Sequence, residues 1–154
     1  MNIVLHQPEI PHNTGAIGRT CLVTGSALHL IRPYGFHLDE KSLKRAGMDY
    51  WQRLNVCEYD SFDDFVAKNA QGMSRFVFAE TGGDMLYTDW QFQQGDYIIF
   101  GSETAGLPRN ILDKFRERVV SIPMVGEIQD RSLNLSVSVG IILFEALRQL
   151  GIKN

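Results

Sequence analysis

The sequence predicts an α/β fold: one domain built on a mostly parallel sheet flanked by helices. Three observations carry this prediction. Short β-rich runs such as Ile3-Val4-Leu5 and Leu28-His29-Leu30-Ile31 alternate with stretches of helical spacing. Tyr97-Ile98-Ile99-Phe100 is an unbroken apolar run, as a strand buried on both faces requires. No repeat, linker or low-complexity tract interrupts the 154 residues, a length that suits one ordinary domain. Such a chain buries roughly two-thirds of its unfolded surface and needs no staples.

In chain order, Ile3 to Leu5 forms a strand that Pro8 and Pro11 close. Asn13 or Thr14 caps a helix in which Ile17, Cys21 and Leu22 keep helical spacing until Gly25. Leu28 to Ile31 is a second strand, stopped by Pro33. Asp39 to Ala46 is a polar, basic helix with Gly47 as its stop. Leu54 to Tyr59 reads as a strand, and Phe62, Phe65 and Val66 mark a helix capped by Ser61 or Asp60. Arg75 to Ala79 is a strand followed by the loop Thr81-Gly82-Gly83. Pro108 opens a helix that runs to about Phe115, and Val119 to Ile122 is the last strand. From Ser132 to Leu150, strand-like alternation at the start competes with helical length and composition, and one long helix is expected.

Composition narrows the function. Hydrophobic residues make up 44% and charged residues 21%, the balance of a globular protein. A formal charge of −3 argues against a domain-wide electrostatic grip on nucleic acid, leaving only local basic patches. Two cysteines, Cys21 and Cys57, cannot build a disulfide framework, so reduced thiols and a cytoplasmic location are expected. The N-terminus lacks the pattern of a signal peptide, and no apolar run approaches the roughly 20 residues of a membrane helix. His6, His12, His29 and His37 show no metal-ligand spacing, so no metal is expected.

Ligands of such sheets sit beyond the carboxyl ends of the strands, so the chemistry is sought in the loops there. Neither G-x-G-x-x-G nor a phosphate-loop signature is present, and Gly101-Ser102-Glu103 lacks the spacing of a nucleophile elbow. Three loops stand out. In Asn13-Thr14-Gly15-Ala16-Ile17-Gly18-Arg19, two glycines at a helix start let a phosphate approach, or serve only tight packing, and Arg19 adds a fixed positive charge. Phe100-Gly101-Ser102-Glu103-Thr104-Ala105-Gly106-Leu107-Pro108 can wrap a small molecule with backbone amides. There Glu103 holds a cation or hydroxyl, or pairs with an arginine. Ile122-Pro123-Met124 offers apolar surface to a flat ligand, and Ser132 and Asn134 offer hydrogen bonds. Ser132, Ser136 and Gly140 recur at every fourth position, a small-residue stripe that hints at a dimer or at helix–sheet packing. Lys41, Lys44, Arg45 and Arg53 form the best basic cluster, with Tyr50 and Trp51 available to stack on an unpaired base.

Taken in order, Asn13-x-Gly15-x-x-x-Arg19, Phe100-Gly101-x-Glu103-x-x-Gly106-Leu107-Pro108, and Ile122-Pro123-Met124 with Ser132-Leu133-Asn134-Leu135-Ser136 resemble the three motifs of the SPOUT superfamily. The TrmH-like branch, in its minimal form acting on tRNA ribose, is the nearest pattern. The resemblance implies a C-terminal trefoil knot, S-adenosylmethionine as methyl donor, a homodimer that completes the active site, and no appended RNA-binding domain beside residues 1–154. It implies cofactor contacts from Ala79, Glu80, Gly101, Ile122, Met124, Ser132 and Leu133. It also implies Arg19 beside the 2′-OH, oriented by Asn13, Glu103 and Asn134. The implied reaction is 2′-O-methylation of the wobble cytidine or uridine of leucine tRNAs. Methylation of another tRNA or rRNA nucleotide, or a non-enzymatic nucleotide-binding module, remains open at this point.

Overall fold

A computed structural model describes residues 1–36, 50–126 and 132–152. The predicted helix 39–46 therefore lies outside the described residues. Among the described residues, seven strands form one sheet: β1 (Asn2–His6), β2 (Ala27–Ile31), β3 (Val56–Tyr59), β4 (Phe76–Ala79), β5 (Met85–Leu86), β6 (Tyr97–Phe100) and β7 (Val119–Ser121). Their order is β3-β2-β1-β6-β4-β7-β5, and every pairing is parallel. The helices are α1 (Pro11–Thr24), α2 (Phe62–Lys68), α3 (Arg109–Lys114) and α4 (Leu135–Gln149).

Strand alternation sorts the core into two layers. Ile3, Leu5, Leu28, Leu30, Val77, Ile98 and Phe100 point to the side of α1 and α4, where Ile17, Val139, Ile142 and Leu143 meet them. Val4, Ile31, Phe76, Phe78 and Ile99 point the other way, onto Phe65, Ile111 and Phe115 of α2, α3 and the turn after α3. Both faces are covered, which is why these strands are apolar throughout rather than alternating. Strand succession reverses at β1: β2 and β3 lie on one side of it, β6 and β4 on the other. The loops leaving β1 and β6 thus emerge side by side, at the place where open parallel sheets bind ligands. Among the described residues, no helix is long and apolar enough to cross a membrane.

Several expected boundaries shift. Helix α1 starts at Pro11, with Ile10 as its cap residue and no side-chain cap of its own, so Asn13 and Thr14 lie inside it. Proline at the first helical position costs nothing, because its missing N–H would have no helical partner. The last helix begins at Leu135, not Ser132. The Asn134 side chain accepts from the Ser136 N–H at 2.9 Å and so caps it. The alternation seen at Leu133 and Leu135 reflects this extended entry. Leu54 ends a short 3-10 turn, Trp51–Arg53, and β3 starts at Val56. β7 ends at Ser121, which leaves Ile122 to the loop. Ser61 is the cap of α2, accepting from Asp64 N–H at 3.1 Å.

Candidate active site

The loops after β1, β4, β6 and β7 and the entry to α4 enclose a cleft of about 410 Å³. Ala79, Glu80, Gly101, Ile122, Met124, Ser132 and Leu133 all line it, as do Asn13, Glu103 and Asn134. Ten of the residues singled out in the sequence, drawn from five stretches between Asn13 and Asn134, thus share one wall.

What holds that wall is a set of carboxylates bound by backbone amides. Glu103 accepts from the amides of Glu9 (2.7 Å) and Ile10 (3.1 Å) and from the Asn13 side chain (2.9 Å). It therefore supplies, from the β6 loop, the negative charge that the start of α1 favours. A carboxylate of the chain itself thus stands where one of the two readings put a phosphate, and among the described residues Glu103 pairs with no arginine. Asn134 donates to Asn13 Oδ1 at 2.9 Å, and its own Oδ1 accepts from the Ser136 hydroxyl at 2.6 Å. Ser136, Asn134, Asn13 and Glu103 thus form a directional chain in which each amide oxygen accepts and each amide nitrogen donates. It ties the three motifs together.

Two further acids extend the framework. Glu9 accepts from both the amide (3.0 Å) and the hydroxyl (2.7 Å) of Thr104, so the two loops clasp each other reciprocally. Glu80 accepts from the amides of Leu107 (2.7 Å) and Thr81 (3.0 Å) and pins the far end of the β6 loop. This folding-back leaves no room at Gly101, where a Cβ would lie 2.0 Å from the Gly106 carbonyl carbon. Gly106 itself turns at φ 66°, a conformation that side chains resist. Glu9 and Thr104 were not foreseen as site residues, although Glu9 stands between the two prolines that mark the loop.

Arg19 does not line the cleft. It is exposed on α1, with its guanidinium 5.2 Å from the centre of the Tyr50 ring. Gly18 serves packing: a Cβ there would lie 3.1 Å from the Trp51 ring and 3.0 Å from Leu54. Trp51 is therefore seated against α1, and Tyr50 donates its hydroxyl to the Gly15 carbonyl, so neither is a free platform for a base. Burial pushes the Tyr50 phenol up from its ordinary value, and the nearby Arg19 charge pulls it back in part. Arg53 is exposed on the turn after Trp51, whereas Lys41, Lys44 and Arg45 lie outside the described residues. The small-residue stripe also shortens, because Ser132 precedes α4. What remains on that helix is Ser136 and Gly140, the latter with its missing side chain facing open space between the exposed Val137 and Phe144.

Comparison with known proteins places this arrangement. A family model described as the SpoU rRNA Methylase family matches residues 1–144. The chain belongs to this family and is a methyltransferase. It is 44% identical over 152 residues to the tRNA (cytidine(34)-2'-O)-methyltransferase of Escherichia coli (strain K12), across 98% of this chain and 94% of that one. Its fold matches a solved structure described as "Structural insights into the 2-OH methylation of C/U34 on tRNA". That match has a TM-score of 0.87 and 42% identity, over 97% of this chain and 95% of the other. The SpoU methyltransferase AviRb of Streptomyces viridochromogenes, solved in complex with AdoMet, gives a TM-score of 0.84 at 26% identity. That match spans 100% of this chain and 59% of the other. A non-enzymatic nucleotide-binding module is thereby set aside.

Proposed function

We propose that the chain transfers the methyl group of S-adenosylmethionine to the ribose 2′-OH of the wobble nucleotide, cytidine or uridine 34, of leucine tRNAs. The observation that carries this reading is the convergence of Asn13, Glu103 and Asn134 on one cleft, in a chain whose full-length relatives are named for that position. The leucine isoacceptors follow from resemblance to the TrmL type.

The cleft fits the cofactor. Its volume of about 410 Å³ falls within the usual range of small-molecule sites. Ile122, Met124 and Leu133 supply apolar surface for a flat base, while Ala79, Glu80, Gly101 and Ser132 border the polar part. When bound, S-adenosylmethionine supplies an electrophilic methyl group on a sulfonium. The chain's residues must then bring the 2′-oxygen into line, and such positioning accounts for much of the rate in reactions of this kind. Glu103 is committed to three donors, so it serves as a fixed support for Asn13 and Asn134 rather than as a mobile base. A guanidinium is a poor proton acceptor near neutrality and a good partner for phosphate, so Arg19 orients the ribose-phosphate of the target nucleotide.

Arg19 is exposed and lies outside the lining of its own protomer's cleft, while Val137 (47% exposed) and Phe144 (57% exposed) leave an apolar face on α4. Both features support a homodimer in which Arg19 of one subunit serves the cleft of the other. The path of β7 between β4 and β5, with α4 returning to α1, supports a trefoil knot in a single domain over residues 1–154. Lys41, Lys44, Arg45 and Arg53 of each subunit extend the RNA contact, and a cytoplasmic location accords with a tRNA substrate. The test is transfer of labelled methyl from S-adenosylmethionine to total tRNA, followed by nucleotide mapping. Label on the ribose of nucleotide 34 is expected. Label on a base, on rRNA alone, or on no RNA overturns the reading.

A further inference from the structure

The outer flank of α1 carries an arrangement that the motif pattern does not announce. The turn Trp51–Arg53 docks on α1 where Gly18 leaves room, and this seats Tyr50 across the helix one turn earlier. The Tyr50 hydroxyl donates to the carbonyl of Gly15. In an α-helix that carbonyl also accepts from the N–H four residues on, which is Arg19 itself. The Tyr50 ring then lies under the Arg19 guanidinium, 5.2 Å from ring centre to Cζ. Arg19 forms no ion pair among the described residues, so this aromatic face is its one specific neighbour there.

A free arginine on a helix surface samples many rotamers, and freezing it during the reaction costs entropy at the step where geometry matters most. A ring beneath the guanidinium holds its plane before the substrate arrives and leaves the nitrogen edges free for phosphate or hydroxyl oxygens. We propose that Tyr50 is a positioning residue for methyl transfer: anchored through its hydroxyl to Gly15, it holds Arg19 in its working direction. This rests on the role given to Arg19 above. It also gives Gly18 a purpose, since the missing side chain there admits Trp51.

The test uses the full chain with Tyr50→Leu, which keeps bulk but removes the aromatic face, and Tyr50→Phe, which keeps the face but removes the anchor. Y50L is expected to lower kcat about 10- to 30-fold, with cofactor affinity within about twofold of the parent. Y50F is expected to retain kcat within about threefold. In an Arg19→Lys background Y50L should cost far less, because its effect runs through the guanidinium. An equal cost in both backgrounds, or unchanged kcat in Y50L, overturns the proposal. If Y50L fails to fold, NMR relaxation of the Arg19 side-chain Nε–H in the parent protein decides. An order parameter near that of the backbone supports the proposal, and free rotation, below about 0.6, overturns it. If Arg19→Ala keeps full activity, the Arg19 reading itself fails. If R19A is inactive while Y50L equals the parent, only the Tyr50 proposal fails.

Discussion

Helix α1 contributes to two regions that differ in kind. Its first turn is locked into the cleft wall: Asn13 is 6% exposed and bonded on both sides, and Glu103 holds the amides leading into the helix. Less than two turns further on, Arg19 stands exposed with one aromatic neighbour. The cleft side is assembled within one protomer, where acids are saturated by backbone amides that cannot rotate away. The arginine side is assembled only as far as Tyr50. On the proposed reading, one helix thus borders the cofactor cleft on one flank and offers Arg19 to a partner's cleft on the other.

The comparison makes predictions that decline in size. Arg19→Ala should lower methyl transfer about 10³-fold, the scale of losing a charge-stabilising group, while calorimetry finds cofactor binding near normal. A large loss of cofactor affinity would show that the two regions are one. Glu103→Gln should strike both: activity falls about 10²-fold as the wall loosens. Chemical denaturation should also find it less stable by about 1–3 kcal/mol, since one acceptor becomes a donor facing an amide. Phe144→Glu, at 57% exposure on α4, should leave the fold intact but shift sedimentation toward monomer. Activity should then fall about tenfold at low protein concentration.

The smallest effect on catalysis comes from a polar network remote from the cleft, which serves as a control. His29 bonds Tyr59 at 2.8 Å and Asn2 at 3.2 Å, and Tyr97 donates to Asn69 at 3.1 Å on the same face. Burial lowers the His29 pKa from 6.5 to about 4. Between those values the unfolded chain takes up a proton that the folded one refuses. Stability is therefore complete above pH 6.5 and falls as the pH drops toward 4, by about 2–3 kcal/mol. His29→Gln should flatten that slope in acid denaturation and leave cofactor affinity unchanged.

Much of this was legible in the chain. Six strands declared themselves, the inner ones because burial on both faces makes apolar runs and the edge strand β3 by its β-rich composition, and loops after four strands held the residues that meet in the cleft. β5 escaped because two residues, Met85 and Leu86, carry no periodic signal. The start of α1 at Pro11 differs from the expected cap at Asn13 or Thr14 because its cap residue, Ile10, has no capping side chain, and the amides leading into the helix are held by Glu103, more than 90 residues away. Gly15 and Gly18 leave phosphate approach and tight packing both open in the sequence, since a glycine that admits an aromatic ring, as Gly18 does, leaves the same mark as one that admits an anion. The placement of Arg19 outside the cleft depends on helix phase and on the docking of Tyr50 from beyond β2, which no local pattern encodes.

The proposed division of the reaction site between subunits is tested most directly by complementation. One subunit carries Arg19→Ala; the other carries Ser132→Trp, which fills the cleft. The two are co-expressed with different tags and the heterodimer is isolated. Each variant homodimer should be inactive, while the heterodimer, with one intact cleft facing one intact Arg19, should recover about half of the parent's methyl transfer to tRNA. A heterodimer as inactive as its parents would contradict the account and return Arg19 to its own protomer's cleft.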